Sequence, residues 1–539
     1  MTTSTAKSLA AIALLAGCVI PQSASGRQQD AAPDVGLHMA VLTDDLAAIR
    51  QHIAAGSDLN ARDAFGSTPL IVAATFGRAG AAKALIEGGA DLNLAGPDGG
   101  TALHTAAFLG RIEIVQALLD AGADKYLRDN AGNTPQAAVA APFDEVRGIY
   151  DRLAQGLAPL GLRLDDEQIK AARPRIAEML RPRPEELDSV EFAPSPGGDW
   201  AVSTPAKEGV DRALLADLYL EASAMDNVHG ILVAKNGRLI GERYLNEGAP
   251  DRKELLQSAT KSYTSALVGL ALEKGCLSSV DQKMMDFFPE LSDQITDHRK
   301  DEITIRQLLE MRSGYPWEET DATYWDAMVY GEFVPLVVRF PLVTDPGTAF
   351  HYSNLSSQLL GIIVARACGT DLKSFAEETL FSPLGVHEGA WIQDRDGYYV
   401  SMAELRFTLR DMAKFGQLYL DGGEYRGKRV VPAEWVEASL RPYSKGMYDS
   451  RWMGDESNYL GPYLHDVGYG YQWWSGRSGD HGFDFAWGHG GQLIVLLHDL
   501  DMVVVAVTDP YHLQHDEESW RHERATLTLV GKFIQSLPG

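Results

Sequence analysis

The sequence predicts a multidomain chain, an all-α solenoid followed by a larger α/β domain. Three observations carry that expectation. A 33-residue period runs between about residues 35 and 142. Strand-like runs stand at both ends of the stretch after residue 200, with mostly helical sequence between them. Apolar residues make up 45% and charged residues 23%, the composition of packed globular domains rather than a disordered chain. A length of 539 residues allows roughly three to four units, or fewer if one is large.

Composition also excludes. Against 48 Lys and Arg stand 74 Asp and Glu, a net charge of −26 with no offsetting basic block. Nucleic acid and anionic membrane surfaces are therefore disfavoured as partners. Three cysteines rule out a disulfide-built scaffold and a four-cysteine zinc site. No apolar run reaches the roughly 18 residues of a membrane-spanning helix.

Lys7 and the apolar run Leu9 to Ile20, broken by Pro21, have the form of a secretory leader. Within it, Leu15-Ala16-Gly17-Cys18 resembles the bacterial lipobox, which implies lipidation at Cys18 and a signal peptide over 1–18. Ordinary cleavage near Ser23-Ala24-Ser25 is the alternative. Residues 19–34 read as a tether rich in Ser, Gly, Gln and Asp. Val19 in place of Asp carries no inner-membrane retention signal by that resemblance. The expectation is an exported periplasmic protein, an outer-membrane lipoprotein that meets the membrane only through its lipid.

Thr68-Pro69-Leu70, Thr101-Ala102-Leu103 and Thr134-Pro135 keep one phase 33 residues apart. So do Ser57-Asp58-Leu59-Asn60, Ala90-Asp91-Leu92-Asn93 and Ala123-Asp124. His38 and His104 share one slot, which Ile71 breaks. Short helical patterns such as Leu103–Leu109 and Ile112–Ala121 end at Gly110 and Gly122, as C-cap glycines do. Residues 35–142 resemble ankyrin repeats, with a degenerate last unit as cap. The resemblance implies a module for protein interaction, or a passive spacer. Residues 143–180 continue as a helical cap, and 181–200, with four prolines, read as a linker.

In residues 201–539, His229 to Lys235 and Arg238 to Leu245 flank the hairpin signal Asn236-Gly237. Gln492 to His498 and Met502 to Thr508 form a second pair, and Glu517 to Leu537 reads as a closing helix. One sheet built from both ends of the domain is expected. Cys276 and Cys368 each end an apolar helical pattern and are expected to be two separate buried thiols.

Three constellations fall on this frame. Ser258-Ala259-Thr260-Lys261 opens a helix, where positions i and i+3 share a face. A desolvated lysine there can accept the serine proton, although an N-cap serine beside a solvated lysine has the same spelling. Tyr352-Ser353-Asn354 precedes the helix Leu355 to Ala367, where Asn354 could equally cap that helix. His489-Gly490-Gly491 leads into the strand at Gln492, where small edge residues would admit substrate backbone.

In this order the three resemble the S-x-x-K, Y-x-N and K/H-[TSG]-G motifs of the penicillin-recognising serine hydrolases. The class C β-lactamase-related branch is closest, supported by Leu256-Gln257, Ile303 to Leu309 and Gly488 to Gln492. The resemblance implies a β-lactamase/transpeptidase-like fold: an antiparallel sheet flanked by helices, with a helical subdomain. It makes Ser258 the nucleophile, with Lys261 and Tyr352 sharing the proton traffic and Tyr352 the preferred base and donor. Asn354 would orient Lys261 and the substrate amide. His489, Gly490, Gly491 and Gln492 would contact substrate, with the N–H groups of Ser258 and Gln492 as oxyanion donors.

Where many relatives carry lysine, His489 is only partly charged near pH 7, which favours neutral esters or amides over carboxylate-bearing substrates. Tyr469, Tyr471, Trp473, Trp474 and Trp487 could line an acyl pocket or fill the core. The expected activity is hydrolysis of a small ester, amide or peptide through an acyl-enzyme. A non-catalytic penicillin-binding sensor and a true D,D-carboxypeptidase or β-lactamase are the alternatives. No cofactor and no metal are expected. H-E-x-x-H is absent, Arg429 spoils the P-loop-like run from Gly422, and His512, His515 and His522 read as surface residues.

Overall fold

The computed structural model describes residues 32–141, 143–195, 200–330, 332–447, 460–512 and 516–539. The leader, Cys18, the tether up to residue 31 and His515 lie outside the described residues. Two compact units emerge, one ending at Glu186 and one comprising Leu187–Met447 and Leu464–Gly539. Among the described residues no helix is long and apolar enough to cross a membrane.

The first unit stacks helix pairs whose second helices are Leu46–Ala54, Ala79–Glu87 and Ile112–Asp120, opening 33 residues apart. The repeated residues have repeated duties. Asn60 Oδ1 accepts from Asp91 N and Asn93 Oδ1 from Asp124 N, both at 2.9 Å, so each asparagine fastens its repeat to the next. His104 faces the Asn133 carbonyl through Nε2 at 3.0 Å, and His38 faces that of Ser67 at 3.1 Å. His104 Nδ1 also accepts from Thr101 N, and burial holds its pKa below the usual imidazole value. Helices Phe143–Leu157 and Asp166–Leu180 follow.

The stretch read as linker carries structure in its described residues. Pro184–Asp188 is helical, and Phe192 is buried against Tyr219 and accepts at its carbonyl from Glu242 N. Its residues from Leu187 onward belong to the second unit.

In the second unit eight strands form one antiparallel sheet: β1 Val228–Lys235, β2 Arg238–Tyr244, β3 Ser444–Met447, β4 His465–Tyr469, β5 Trp474–Ser478, β6 His481–Gly488, β7 Gln492–Leu497 and β8 Met502–Thr508. Their order is β2-β1-β8-β7-β6-β5-β4-β3. The two ends of the domain meet at β1 and β8, registered from Val228 with Thr508 to Lys235 with Met502. β8 is buried along its whole length, as a strand covered on both faces must be.

Helix α1 (Arg212–Ser223) covers one face, with Tyr219 over Gly241 where a side chain would clash. The closing helix, α6 (Asp516–Ser536), is tied to it by Lys532, which pairs with Asp217 and Glu221 at 2.9 Å. On the other face lies a helical layer. It includes α2 (Thr260–Glu273), α3 (Ile305–Leu309), α4 (Asn354–Cys368) and α5 (Leu409–Leu420). Gly416 of α5 lets that helix settle directly on Ile494, Leu496 and Val503.

Two expectations are corrected here. Cys276 and Cys368 are not separate buried thiols: both are half-buried and form a disulfide, Cα–Cα 4.9 Å, joining the C-terminal ends of α2 and α4. Each cysteine closes its own helix, and α2 packs along α4, so the two ends coincide. The sequence between the two terminal strand pairs is also less helical than expected, because β3 to β6 fall inside it.

Candidate active site

Ser258 lies in a single 3₁₀ turn, Gln257–Ala259, that runs directly into α2. Gln257 takes φ 49°, a left-handed conformation uncommon for a residue with a side chain. That turn sets Ser258 at the mouth of the helix, half-buried. One turn on, Lys261 is buried and donates from Nζ to Ser258 Oγ at 2.7 Å and to the Met402 carbonyl at 2.9 Å. Burial, partly opposed by Glu319 and Glu318, lowers the Lys261 pKa to about 8. The ammonium therefore loses its proton within the working pH range.

The segment that supplies Met402 O is fixed by buried hydrogen bonds. Thr264 Oγ1 donates to Ser401 O at 2.6 Å, and Ser401 N donates to Gln358 Oε1 at 2.8 Å. Gln472 fastens the neighbouring helices. It accepts from Ser357 Oγ and donates to the Leu308 and Leu309 carbonyls.

Tyr352 is buried, and its ring centre lies 5.0 Å from Lys261 Nζ. Burial first, then the charge of Glu319, raises its hydroxyl well above the usual phenol range, against a hydrogen bond with Ser258. Ser353, rather than Asn354, caps α4 by accepting from Ser356 N. Asn354 Nδ2 donates to Glu319 at 2.9 Å, while the bonds of Lys261 Nζ run to Ser258 and Met402. Asn354, expected to orient Lys261 and the substrate amide, is itself held by a carboxylate that acts on Lys261 through its charge.

Glu318 underlies this loop. It is fully buried and accepts from Ser353 Oγ, Asn354 N and Leu355 N at 2.8–3.1 Å. Burial pushes its pKa up to about 7 despite these donors. Sequence reasoning missed Glu318, Glu319, Met402 and Gln472. No short motif marks them, since their role is to hold other residues in place.

The third motif sits differently from expectation. His489, Gly490 and Gly491 form the turn between β6 and β7, and neither strand is an edge. Gly490 and Gly491 take φ 82° and 97°, conformations that favour glycine. Gln492 is fully buried, with its side chain bonded to Thr508 across the sheet. Its neighbour in the ladder, Gly488, is what touches the nucleophile turn. A Cβ at Gly488 would overlap the Leu256 carbonyl oxygen and crowd Ala259 N. His489 Nδ1 lies 3.0 Å from Oε2 of the buried Glu523, and the ring stands edge-on to Trp520.

Tyr469, Tyr471, Trp473, Trp474 and Trp487 are all buried, some of them around Tyr352. Trp474 stacks on Tyr352 at 5.4 Å, Tyr469 and Trp317 meet it edge-on at 6.0 Å, and Trp487 leans on Trp474. Trp473 and Tyr471 are core, packed on Tyr419 and Tyr443.

A buried lysine bonded to a serine at a helix start, with a buried tyrosine over it, is matched by homology. The β-lactamase family model covers residues 221–528, and an ankyrin-repeat model of three copies covers 37–129. The chain belongs to the β-lactamase family. Its C-terminal unit is a β-lactamase/penicillin-binding-type domain, and ankyrin repeats precede it.

Among curated members, the 6-aminohexanoate-dimer hydrolase of Paenarthrobacter ureafaciens is 27% identical over 261 residues, 44% of this chain and 64% of that protein. The esterase EstB of Burkholderia gladioli is 26% identical over 215 residues, 37% of this chain and 52% of that one. The chain thus spans less than two thirds of these relatives' length. A penicillin-binding protein homologue from Caulobacter crescentus shares 16% identity at a TM-score of 0.43, covering 62% of this chain and all of that one.

The histidines near the C-terminus correct a further expectation. His512 and His522 are half-buried rather than surface residues, and their rings meet edge to face at 4.9 Å beside Asp226. The chain folds back so that the residues after β8, helix α6 and the start of β1 converge.

Proposed function

We propose that the C-terminal unit is a serine hydrolase that cleaves a neutral ester or amide through an acyl-enzyme on Ser258. The observation that carries this reading is the 2.7 Å hydrogen bond from a buried Lys261, its pKa lowered to about 8, to Ser258 Oγ. Neutral Lys261 takes the Ser258 proton as Oγ attacks the substrate carbonyl carbon. The oxyanion that forms is met by the Ser258 N–H, in the turn against which Gly488 packs. Tyr352, kept protonated by burial, passes a proton to the leaving group and is replenished from Lys261. Water then attacks the acyl-enzyme, with the proton transfers reversed, to release the acid and restore Ser258.

The preference for neutral substrates rests on the partner of His489. Whether the ring is protonated or not, the pair it makes with Glu523 carries no net positive charge to hold a carboxylate. A charge-assisted hydrogen bond worth roughly 1.5–3 kcal/mol is then absent, on the order of ten- to a hundredfold in kcat/KM. The names of the relatives, a 6-aminohexanoate-dimer hydrolase and an esterase, agree with such chemistry.

Export as a lipoprotein through Cys18 remains part of the reading. The Cys276–Cys368 disulfide supports it, because such bonds persist in oxidising compartments. The ankyrin repeats would recruit a protein partner. A panel of p-nitrophenyl esters, D-amino amides, D-Ala-D-Ala peptides and nitrocefin tests the substrate class. Neutral esters or amides should be turned over fastest at pH 7.5. Faster turnover of nitrocefin than of any neutral substrate would overturn the preference.

A further inference from the structure

Outside the site just described, Asp226, His512 and His522 present one ligand atom each, all within 4.8 Å of one another. His512 Nε2 and Asp226 Oδ2 are already 3.2 Å apart. A tetrahedral ion with bonds of about 2.0–2.1 Å needs ligand atoms ~3.3 Å apart. A closure of at most about 1.5 Å between ligand atoms completes the set.

The chemistry of the donors is selective. Two imidazoles with one carboxylate suit zinc and its neighbours, whereas magnesium and calcium prefer all-oxygen sites. Two rings in edge contact repel if both are protonated, which suits the cluster to neutral imidazole donors.

We infer that Asp226, His512 and His522 form a binding site for one divalent transition-metal ion of the zinc class. The ion pins together the start of β1, the segment after β8 and helix α6. This inference is independent of the hydrolase reading, although the pinned segment does reach the nucleophile turn. Pro510 backs onto Gly490, and Tyr511 accepts at its hydroxyl from Gln257 Nε2 at 2.8 Å, one residue before Ser258. The ion would thus hold the wall of the site from behind, with no part in the bond-breaking step.

The test uses the untagged full chain, stripped with chelator and titrated with Zn²⁺ by calorimetry and with Co²⁺ by visible absorption. Wild-type protein should bind one ion per chain, show cobalt d–d bands of nitrogen and oxygen ligation, and gain Tm with added Zn²⁺. Mg²⁺ should do neither. His512→Ala, His522→Ala and the exposed Asp226→Asn should each weaken Zn²⁺ binding by about tenfold or more, whereas His498→Ala, remote from the cluster, should not. If either histidine variant fails to fold, Asp226→Asn alone decides. Absence of stoichiometric binding, or binding unchanged by Asp226→Asn and by every folded histidine variant, would overturn the site.

Discussion

Removing the charge beside Lys261 without touching the lysine tests the proton-transfer reading. Glu319 raises the Lys261 pKa against burial, which nevertheless holds it at about 8. Glu319→Gln keeps an amide oxygen for Asn354 Nδ2 and deletes the charge. For an assumed separation of ~8 Å, two charges interact by about 2 kcal/mol at an effective dielectric near 20 and by about 0.5 kcal/mol in water. Glu319 is exposed, so the loss lies between these limits, about 0.4 to 1.5 pKa units. The neutral amine is the proton acceptor. In the wild type, kcat/KM should therefore rise with pH and level off above about 8. In Glu319→Gln the rising limb should move to lower pH, making the variant about two- to eightfold faster at pH 7 with a similar plateau. The assay is a pH–rate profile on a p-nitrophenyl ester, with Tm measured alongside. A limb that stays put or moves upward while Tm is unchanged would remove Lys261 from the role of base.

Lys261→Met should abolish turnover yet raise Tm at pH 7 by a few degrees. The lowered pKa corresponds to a burial cost of about 3 kcal/mol for the charged form. Because the unfolded chain binds the extra proton between about pH 8 and 10.5, wild-type stability rises across that window and the gap to the variant should narrow. Gly488→Ala should lower kcat/KM by about a hundredfold, since a Cβ would strike the Leu256 carbonyl, whereas Gly482→Ala has only the tip of Arg477 for a neighbour and should be neutral. Reducing the Cys276–Cys368 bond, whose partners lie 92 residues apart, should lower Tm, with up to about 4–5 kcal/mol expected from loop entropy. Insensitivity of Tm to reductant would argue against the pairing.

How much of this was legible in the sequence depends on the kind of signal. The repeat was plain because each period reuses the same contacts, as the Asn60 and Asn93 bonds show. The terminal hairpins were plain because β1, β7 and β8 are rich in Val, Ile and Leu. Ser258 and Lys261 were readable because their spacing alone puts them on one helix face. Strands β4 to β6 were not. Their Gly-rich, aromatic sequences, such as His481 to Gly488, lack clean alternation and are set by pairing with neighbours. At the third motif the contact with the nucleophile turn falls at Gly488, one residue before His489, where a side chain is missing. Glu318 and the Asp226–His512–His522 cluster depend on long-range folding that no local spacing encodes.

The central claim is that Ser258 is the nucleophile. Intact-mass spectrometry of the full chain after a serine-directed fluorophosphonate tests it most directly. The wild type should gain one adduct, mapped to the peptide containing Ser258, and Ser258→Ala should gain none. Equal labelling of both proteins, or an adduct on another residue, would contradict it.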